Sequence, residues 1–222
     1  VMAAEIYYET MGQNWERAAY IKARPVAGDL FAGEEFLKEL SPFIWRKYFD
    51  FAAIADVHSI KRQIHAHKGH GKIAVLGHNI KLGRGGIREI EFFTQTQQLI
   101  TGGRDPRLRG RETLPMLDQL VESGWVEAQA RDALREAYLF LRDVEHRIQM
   151  VADEQKHTLP DTEEGVANTG RMMGFASYTE FADALIQRLD TVQGYYARLF
   201  ETAPELTSST GDRKSTRLNS SH

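Results

Sequence analysis

The residues best suited to chemistry in this chain are basic side chains grouped around a glycine-rich turn. Residues 79–86 contain Lys81, Arg84 and three glycines, and Arg88 follows in what the pattern predicts to be a helix. A turn that leads into a helix N-terminus can bind an anion through free backbone N–H groups, and basic side chains pair with phosphate oxygens. The turn can equally be structural, with Arg88 paired to Glu91 at i,i+3. We favour a mixture, in which that pair frames a cleft and Lys81 or Arg84 lies nearer a phosphate.

The predicted helix after this turn carries one polar stripe on an otherwise apolar surface. At about 100° per residue, the stripe consists of Arg88, Glu91, Gln95 and Gln98. A mostly apolar helix is expected to be buried, so its polar stripe has to meet other polar groups or a ligand. The pattern therefore indicates a site, or a well-satisfied internal network, on this face.

A second polar stripe lies on the longest predicted helix, residues 126–152. Arg142, His146, Gln149 and Asp153 follow one another at i, i+4, i+7 and i+11. We expect this stripe to face the first one across a helical bundle, where a buried network must be fully satisfied. The expected structural polar network consists of Glu91, Gln95, Arg142 and His146.

Two further basic residues, Lys22 and Arg24, lie in the segment IKARPVAGD. A bidentate arginine suits phosphate oxygens, so a phosphate contact is one interpretation. The alternative is a pair of surface cations on a segment that closes a domain. The residues alone do not separate these two interpretations.

Other clusters favour ordinary structural roles. His65, His67 and His70 suggest a metal site, but the stretch is basic and has no nearby carboxylate, so we expect a solvated helix end. The four arginines within 104–111 are expected to form a solvated loop, with an acidic partner as the alternative. No Ser/His/Asp arrangement or Walker-type phosphate loop stands out.

The composition limits the class of protein. Of 222 residues, 42% are hydrophobic and 27% charged, and the net charge of -3 argues against a nucleic-acid partner. The absence of cysteine excludes disulfides and thiolate metal sites and fits a cytoplasmic location. No apolar run approaches the roughly 18 residues of a membrane span, so we expect no membrane partner.

Helical periodicity dominates, and no alternation of strands and helices is present, so the predicted fold class is mainly α. A short strand is possible at 73–76. Residues after about 204 are polar and aperiodic, which predicts a disordered tail, and their end resembles translated sequencing-adaptor read-through. The predicted helical segments cover 2–11, 15–24, 34–40, a helix that begins at Ser41-Pro42, 51–67, the stretch from 87, 113–123, 126–152 and 178–202.

Four motifs carry a resemblance to a known family: NIKLGRGGIREIEFF, WERAAYIKARPVAGD, AYLFLRDVEHRIQM and DEQKHTLP. They resemble the bacterial glutamine synthetase adenylyltransferase/adenylyl-removing enzymes from about Val1 to Ala203. That family has two homologous halves, each a nucleotidyltransferase domain followed by a helical domain. The forms GGIREIEFF and KARPVAGD resemble the N-terminal half, which removes AMP from glutamine synthetase.

The resemblance implies an organisation and a function. Residues 1–32 would be the C-terminal edge of a polymerase-β-like nucleotidyltransferase domain, 33–203 a helical bundle and 204–222 a tail. The parent reaction would remove AMP from a tyrosine of glutamine synthetase with phosphate, giving ADP, and would use Mg²⁺ and ATP or ADP. The implied partners are glutamine synthetase and a PII-type signal protein. The residues nearest nucleotide or phosphate would be Lys22, Arg24, Lys81, Arg84 and Arg88.

One departure from the family pattern affects the expected activity. The family holds its metal with an Asp-x-Asp pair and a third aspartate, and no Asp-x-Asp occurs in this chain. We therefore expect the chain to begin after the third aspartate, to contain no catalytic or metal-binding residue and to be inactive alone. An alternative is a non-catalytic helical module that binds glutamine synthetase or a PII-type protein. The related uridylyltransferase of PII is disfavoured, because it carries a His-Asp phosphohydrolase domain and no His-Asp dipeptide occurs.

Overall fold

The computed structural model describes residues 2–46, 72–151 and 153–201. These residues are mainly helical, as predicted, and include no β-strand. The predicted helix over 51–67, the three clustered histidines and the tail after 204 lie outside the described residues. The described α-helices are α1 (Met2–Thr10), α2 (Asn14–Tyr20), α3 (Leu30–Glu39), α4 (Ser41–Ile44), α5 (Ile87–Thr101), α6 (Thr113–Glu122), α7 (Ala128–Met150), α8 (Glu163–Met172) and α9 (Tyr178–Glu201), with a short 3-10 helix at Pro106–Leu108.

The long periodic segments were predicted well, and the shorter ones less well. Helices α6, α7 and α9 confirm the predictions at 113–123, 126–152 and 178–202 to within two residues. The predicted strand at 73–76 is wrong, because this stretch is irregular chain leading into a turn. The second predicted segment ends as a helix at Tyr20 rather than continuing to residue 24.

Helix α8 was missed from the sequence because it is short and contains two glycines. Its start is nevertheless well specified, since the Thr162 side chain accepts a hydrogen bond from the Gly165 amide. Glu163 and Glu164 lie in its first turn, where negative charge favours the helix dipole. Local capping therefore compensates for the poor intrinsic helix propensity of glycine.

The main core is formed by α5, α7 and α9, with α8 packed against α7 and α9 and α6 packed against α5 and α7. On α7, Leu134, Leu141 and Val144 are almost completely buried. Their spacing of three and seven residues is the apolar stripe predicted from the sequence. The fully buried residues of α9 are Phe181, Leu185, Leu189 and Val192.

A second, smaller core joins the N-terminal helices to the far end of α5. It contains Ile21, Leu40, Ile44 and Leu99, and Leu99 belongs to α5. The buried guanidinium of Arg17 donates to the Ile44 carbonyl at 3.1 Å and 3.3 Å. Helix α5 therefore contributes to both cores, which explains why so little of its surface is polar. None of the described helices is long and apolar enough to cross a bilayer.

Candidate functional site

The glycine-rich turn is built differently from an anion-binding loop. The amides of Ile87 and Arg88 donate to the carbonyls of Ile80 and Lys81, both at 3.0 Å. The Gly85 amide donates to the carboxylate of Glu89 at 2.9 Å. Backbone capture of an anion, one of the two interpretations of this turn, is therefore wrong, because these N–H groups are already engaged.

Close packing explains the glycines of this turn. A β-carbon on Gly86 would lie 2.5 Å from the Ile80 carbonyl oxygen, and one on Gly83 would lie 2.4 Å from that of Asn79. Real β-carbons do not approach an oxygen so closely, so the chain can fold back on itself only where side chains are absent. The turn is a structural connection that packs residues 79–82 against the start of α5.

The entry to the turn is held by a short antiparallel pairing with residues 157–160. The Ile80 amide donates to the His157 carbonyl at 2.7 Å, and the Leu159 amide donates to the His78 carbonyl at 2.9 Å. Between them, Asn79 and Thr158 form an isolated bridge. Because the pairing ends next to Lys81, the side chains of Lys81 and His157 reach the same point on α7.

That point is the buried carboxylate of Glu145, whose side chain is only 3% exposed. Its Oε2 lies 2.7 Å from Nη1 of Arg142. Its Oε1 lies 2.8 Å from Nδ1 of His157 and 3.7 Å from Nζ of Lys81, without an aligned hydrogen bond. Three basic side chains from three segments thus converge on one buried acid. We call Lys81, Arg142, Glu145 and His157 the Glu145 cluster.

Polar side chains continue from this cluster along the α5–α7 face. The phenol of Tyr138 on α7 interacts electrostatically with Glu91, Arg142 and Glu145. Burial, with the nearby charge of Glu91, raises the pKa of Tyr138 above its ordinary value. Glu91 of α5 and Arg142 of α7, one residue from each predicted stripe, therefore both lie near this phenol.

Lys22 extends the same polar strip to the segment after α2. Its Nζ donates to the Arg111 carbonyl at 2.6 Å and to Oγ1 of Thr113 at 3.1 Å. Partial burial lowers the pKa of Lys22, and the negative charges of Glu91 and Glu112 oppose that shift. The lysine is thus tied to the start of α6 rather than free on the surface.

The other sequence-predicted residues are more dispersed. Arg24, Arg84, Arg88 and His146 are exposed, and Gln95 is half-buried. No ion pair joins Arg88 to Glu91, both of which are described, so the predicted i,i+3 pair is wrong. His146 points away from the predicted network. Its neighbour in sequence, Glu145, takes the inward position, because the two residues differ by about 100° around the helix.

Gln98, the last residue of the first stripe, has a structural role. Its side-chain amide is buried and donates to the carbonyls of Leu108 at 2.9 Å and Gly110 at 2.8 Å. This places the 3-10 turn against α5. Sequence reasoning missed Glu145, His157, Tyr138 and Thr113, although Glu145 lies three residues after Arg142 within the motif AYLFLRDVEHRIQM.

Part of the basic loop is also structural. Arg109 donates to the Gly102 carbonyl at 2.6 Å and lies over the Trp45 ring at 5.7 Å, and Arg107 pairs with Asp105 at 2.7 Å. Arg109 is therefore held within the fold, whereas Arg104, Arg107 and Arg111 are exposed, as expected for a solvated loop.

A metal site is not built by the part of the chain that the structure describes. Within residues 2–46, 72–151 and 153–201, no group of three or more histidines and carboxylates could hold a metal ion. The chemistry of Glu145 is also unsuitable, because its carboxylate faces basic groups rather than other oxygen ligands. The described residues do not fit the Mg²⁺ that the sequence resemblance implies.

Comparison of the sequence with known proteins shows which family this chain belongs to. Residues 58–200 match the family model described as GlnD PII-uridylyltransferase, and residues 1–39 match the model described as Glutamate-ammonia ligase adenylyltransferase. A relative from Mesorhizobium japonicum is 68% identical over 96% of this chain and 22% of its own length. Relatives from Brucella melitensis and Rhizobium meliloti are 66% and 65% identical over the same shares.

All three relatives are named bifunctional glutamine synthetase adenylyltransferase/adenylyl-removing enzyme. The chain belongs to the family that the first model describes, and it is similar to these bifunctional enzymes over 96% of its own length. It spans about a fifth of the length of these relatives.

Proposed function

We propose that this chain is the helical part of the adenylyl-removing half of such an enzyme and borders its nucleotidyltransfer cleft. In the proposed reaction, an oxygen of inorganic phosphate forms a bond to the phosphorus of a tyrosine-linked AMP. The bond between that phosphorus and the tyrosine oxygen breaks, and the tyrosine oxygen takes up a proton from water. The products are ADP and unmodified glutamine synthetase.

The observation that carries this proposal is the polar strip from Lys22 to the Glu145 cluster. It crosses the α5–α7 face of an otherwise apolar bundle and includes Glu91 and Tyr138, which are coupled electrostatically. A helical bundle gains little stability from such a strip, since burying charges is costly unless they are paired. Polar groups placed in this way are expected where a bundle faces a charged substrate.

The proposal assigns different tasks to different parts of the whole protein. Residues 1–32 would be the edge of the nucleotidyltransferase domain, which the match of residues 1–39 to the adenylyltransferase model supports. Mg²⁺ and ATP or ADP would be held by parts of the whole protein other than the described residues. Lys22, Arg24, Lys81, Arg84 and Arg88 would be the basic residues nearest the nucleotide or phosphate. The chain by itself would then be inactive.

A chimera tests this function directly. The matched segment of the Mesorhizobium japonicum relative is replaced by residues 1–203 of this chain, and AMP removal from adenylylated glutamine synthetase is measured with phosphate. We expect the chimera to release ADP and the isolated chain to release none. Addition of AMP to unmodified glutamine synthetase, assayed in the same preparation, serves as the control that the rest of the chimera is folded.

The two activities separate the possible outcomes. A chimera that adds AMP but does not remove it would contradict the assignment to the adenylyl-removing half. Release of ADP by the isolated chain would contradict the proposed inactivity and would require a catalytic site within these residues.

A second function, a protein-docking module, is favoured by one observation. Val26 and Phe31 are 76% and 77% exposed, and Leu30 beside Phe31 is 52% exposed. Large apolar side chains grouped on a surface favour a protein contact. Glutamine synthetase or a PII-type protein would be the partner. Capture of either purified protein by this chain without nucleotide, lost in Phe31→Ser, would support docking, whereas no capture would exclude it.

A further inference from the structure

The Glu145 cluster has more positive charge than its acid can balance. Lys81 and Arg142 each carry a permanent positive charge, and Glu145 supplies one negative charge. His157 adds a third basic group on the same carboxylate, 2.8 Å from Oε1. Even with His157 neutral, the cluster carries one positive charge in excess, so it attracts an anion.

The basic groups of the cluster also keep hydrogen-bond donors for a ligand. Arg142 uses Nη1 toward Glu145 at 2.7 Å, and its remaining N–H groups donate to no other described residue. Nζ of Lys81 lies 3.7 Å from Oε1, which is longer than a hydrogen bond. Both side chains are about one-third exposed, at 36% and 35%, whereas Glu145 is 3% exposed. Their donors therefore reach the surface while the acid lies beneath.

The surrounding structure restricts the positions of these donor side chains. Lys81 follows the backbone pairing with His157, and its own amide donates to Oδ1 of Asn79 at 3.1 Å. Arg142 lies on α7, about one turn before Glu145, and its Nη1 is held by that carboxylate. Gln149 places its side-chain amide 3.5 Å from Nδ1 of His157. Because Lys81, Arg142 and His157 are already held in place, they lose little conformational entropy when an anion binds.

We propose that Lys81, Arg142 and His157 form a binding site for a tetrahedral oxyanion, which is the inorganic phosphate that attacks the AMP group. Arg142 presents paired N–H donors to two phosphate oxygens, and Lys81 contributes a point charge. Glu145 is a positioning residue, because it orients all three without reaching the surface. The proposal deepens the proposed function and depends on it for the role of the anion, although binding can be tested separately.

Three other groups of possible anion donors are already engaged by protein groups. The start of α5 uses its amides internally, and Lys22 donates to Arg111 and Thr113. On α7, Arg131 and Arg135 share the carboxylate of Asp118. Lys81 and Arg142 differ from these groups, because each is about one-third exposed and keeps N–H donors for a phosphate.

Binding is tested with the 222-residue chain by ¹H–¹⁵N NMR. Sodium phosphate replaces sodium chloride at constant ionic strength, and the amides of 79–86 and the Nε–H of Arg142 are followed. We expect saturable shifts, at least about 10-fold weaker binding in Arg142→Gln and partial rescue in Arg142→Lys. Arg135→Gln, on the same helix, is the matched control and should bind phosphate as the unmodified chain does.

The outcomes distinguish the source of the oxyanion. Absence of saturable shifts, or equal losses in Arg142→Gln and Arg135→Gln, would overturn the site. Circular dichroism of each variant establishes that a loss does not reflect unfolding. A parallel titration with AMP that shifts the same signals, when phosphate alone does not, would assign the site to the nucleotide and overturn the free-phosphate assignment.

The chimera separates this inference from the proposed function. Arg142→Gln in the chimera should raise the KM for phosphate by about 10-fold or more while leaving the KM for adenylylated glutamine synthetase unchanged. An active chimera with an unchanged KM for phosphate would reject the phosphate site and leave the function intact. Phosphate binding by the chain, with no AMP removal by the chimera, would reject the function instead.

Discussion

A β-carbon placed on Gly85 would lie 2.2 Å from the carbonyl oxygen of Leu189. Gly85 also has φ of +75°, in the left-handed region that other residues rarely adopt. Leu189 belongs to α9 and is fully buried. The glycine-rich turn and the last long helix therefore meet backbone to backbone.

Gly85→Ala is expected to destabilise the chain strongly. The left-handed conformation and the overlap with Leu189 together should cost about 3 kcal/mol or more of unfolding free energy. Gly124→Ala is the matched control, because Gly124 has φ of +73° but nothing within 4 Å of an added β-carbon. That variant should lose only about 1–2 kcal/mol. Urea unfolding of both variants measures the difference, and equal losses would contradict the close contact.

Two leucines of α7 test the orientation of that helix. Leu141 is fully buried, so Leu141→Ala should lower the unfolding free energy by about 2–5 kcal/mol through lost burial and a residual cavity. Leu139, two residues earlier, is 50% exposed, and Leu139→Ala should cost less than about 1 kcal/mol. Thermal or urea unfolding provides the measurement. Comparable losses would mean that α7 turns a different face toward the core.

Removing the charge of Glu145 should destabilise the fold moderately. Glu145→Gln keeps the shape of the side chain but leaves Arg142 and Lys81 without their shared counter-charge. Because both partners are partly solvated, we expect a loss of roughly 1–2 kcal/mol rather than the larger cost of a fully buried broken pair.

Glu136→Gln is the control for the Glu145 substitution. Glu136 lies on the same helix and pairs with Arg188 at 2.7 Å, but its side chain is 69% exposed. Its loss should lie within about 0.5 kcal/mol of zero. A larger effect for Glu136→Gln than for Glu145→Gln in urea unfolding would contradict the central role of Glu145 in the cluster.

Acid should destabilise the chain in part through His78. Burial lowers the pKa of His78, although a backbone hydrogen bond with Arg84 opposes the shift. The unfolded chain then binds a proton more readily than the folded chain, so this contribution to stability is complete above the unfolded pKa of about 6.5 and is lost as the pH falls below it. The midpoint of thermal unfolding, measured from pH 7.5 to 5, should therefore fall less steeply in His78→Asn.

His146→Asn is the control for the pH experiment, because His146 is exposed and makes no hydrogen bond to another described residue. Its midpoint should follow that of the unmodified chain at every pH. If His78→Asn showed the same pH dependence as the unmodified chain, burial of the imidazole would not be coupled to stability.

The sequence predicted the helices that pack through long apolar stripes. The spacing of Leu134, Leu141 and Val144 repeats along α7, and a repeat of this length is visible without any tertiary information. Prediction from the sequence was less successful for α8, where capping by Thr162 defines the start of a segment with two glycines. The prediction of a strand at 73–76 failed because a short apolar run is ambiguous without its surroundings.

The candidate site was only partly visible in the sequence. Lys81 and Arg142 were both named from sequence patterns, and the fold brings them to the same carboxylate. The roles of Glu145 and His157 were missed, because helical spacing does not show which of two neighbouring polar residues points inward. The i,i+3 rule selected the pair of Arg88 and Glu91, which does not form, whereas Arg142 and Glu145 do pair at this spacing.

The sequence by itself determined the helical class, the long helices and the family, because periodicity and ordered motifs are local properties of the chain. The tertiary structure decided what the glycine-rich turn does. Its amides bond internally, its glycines allow contact with α9, and its lysine meets an acid more than sixty residues away in sequence. Local spacing does not encode such contacts, since they depend on how distant helices pack together.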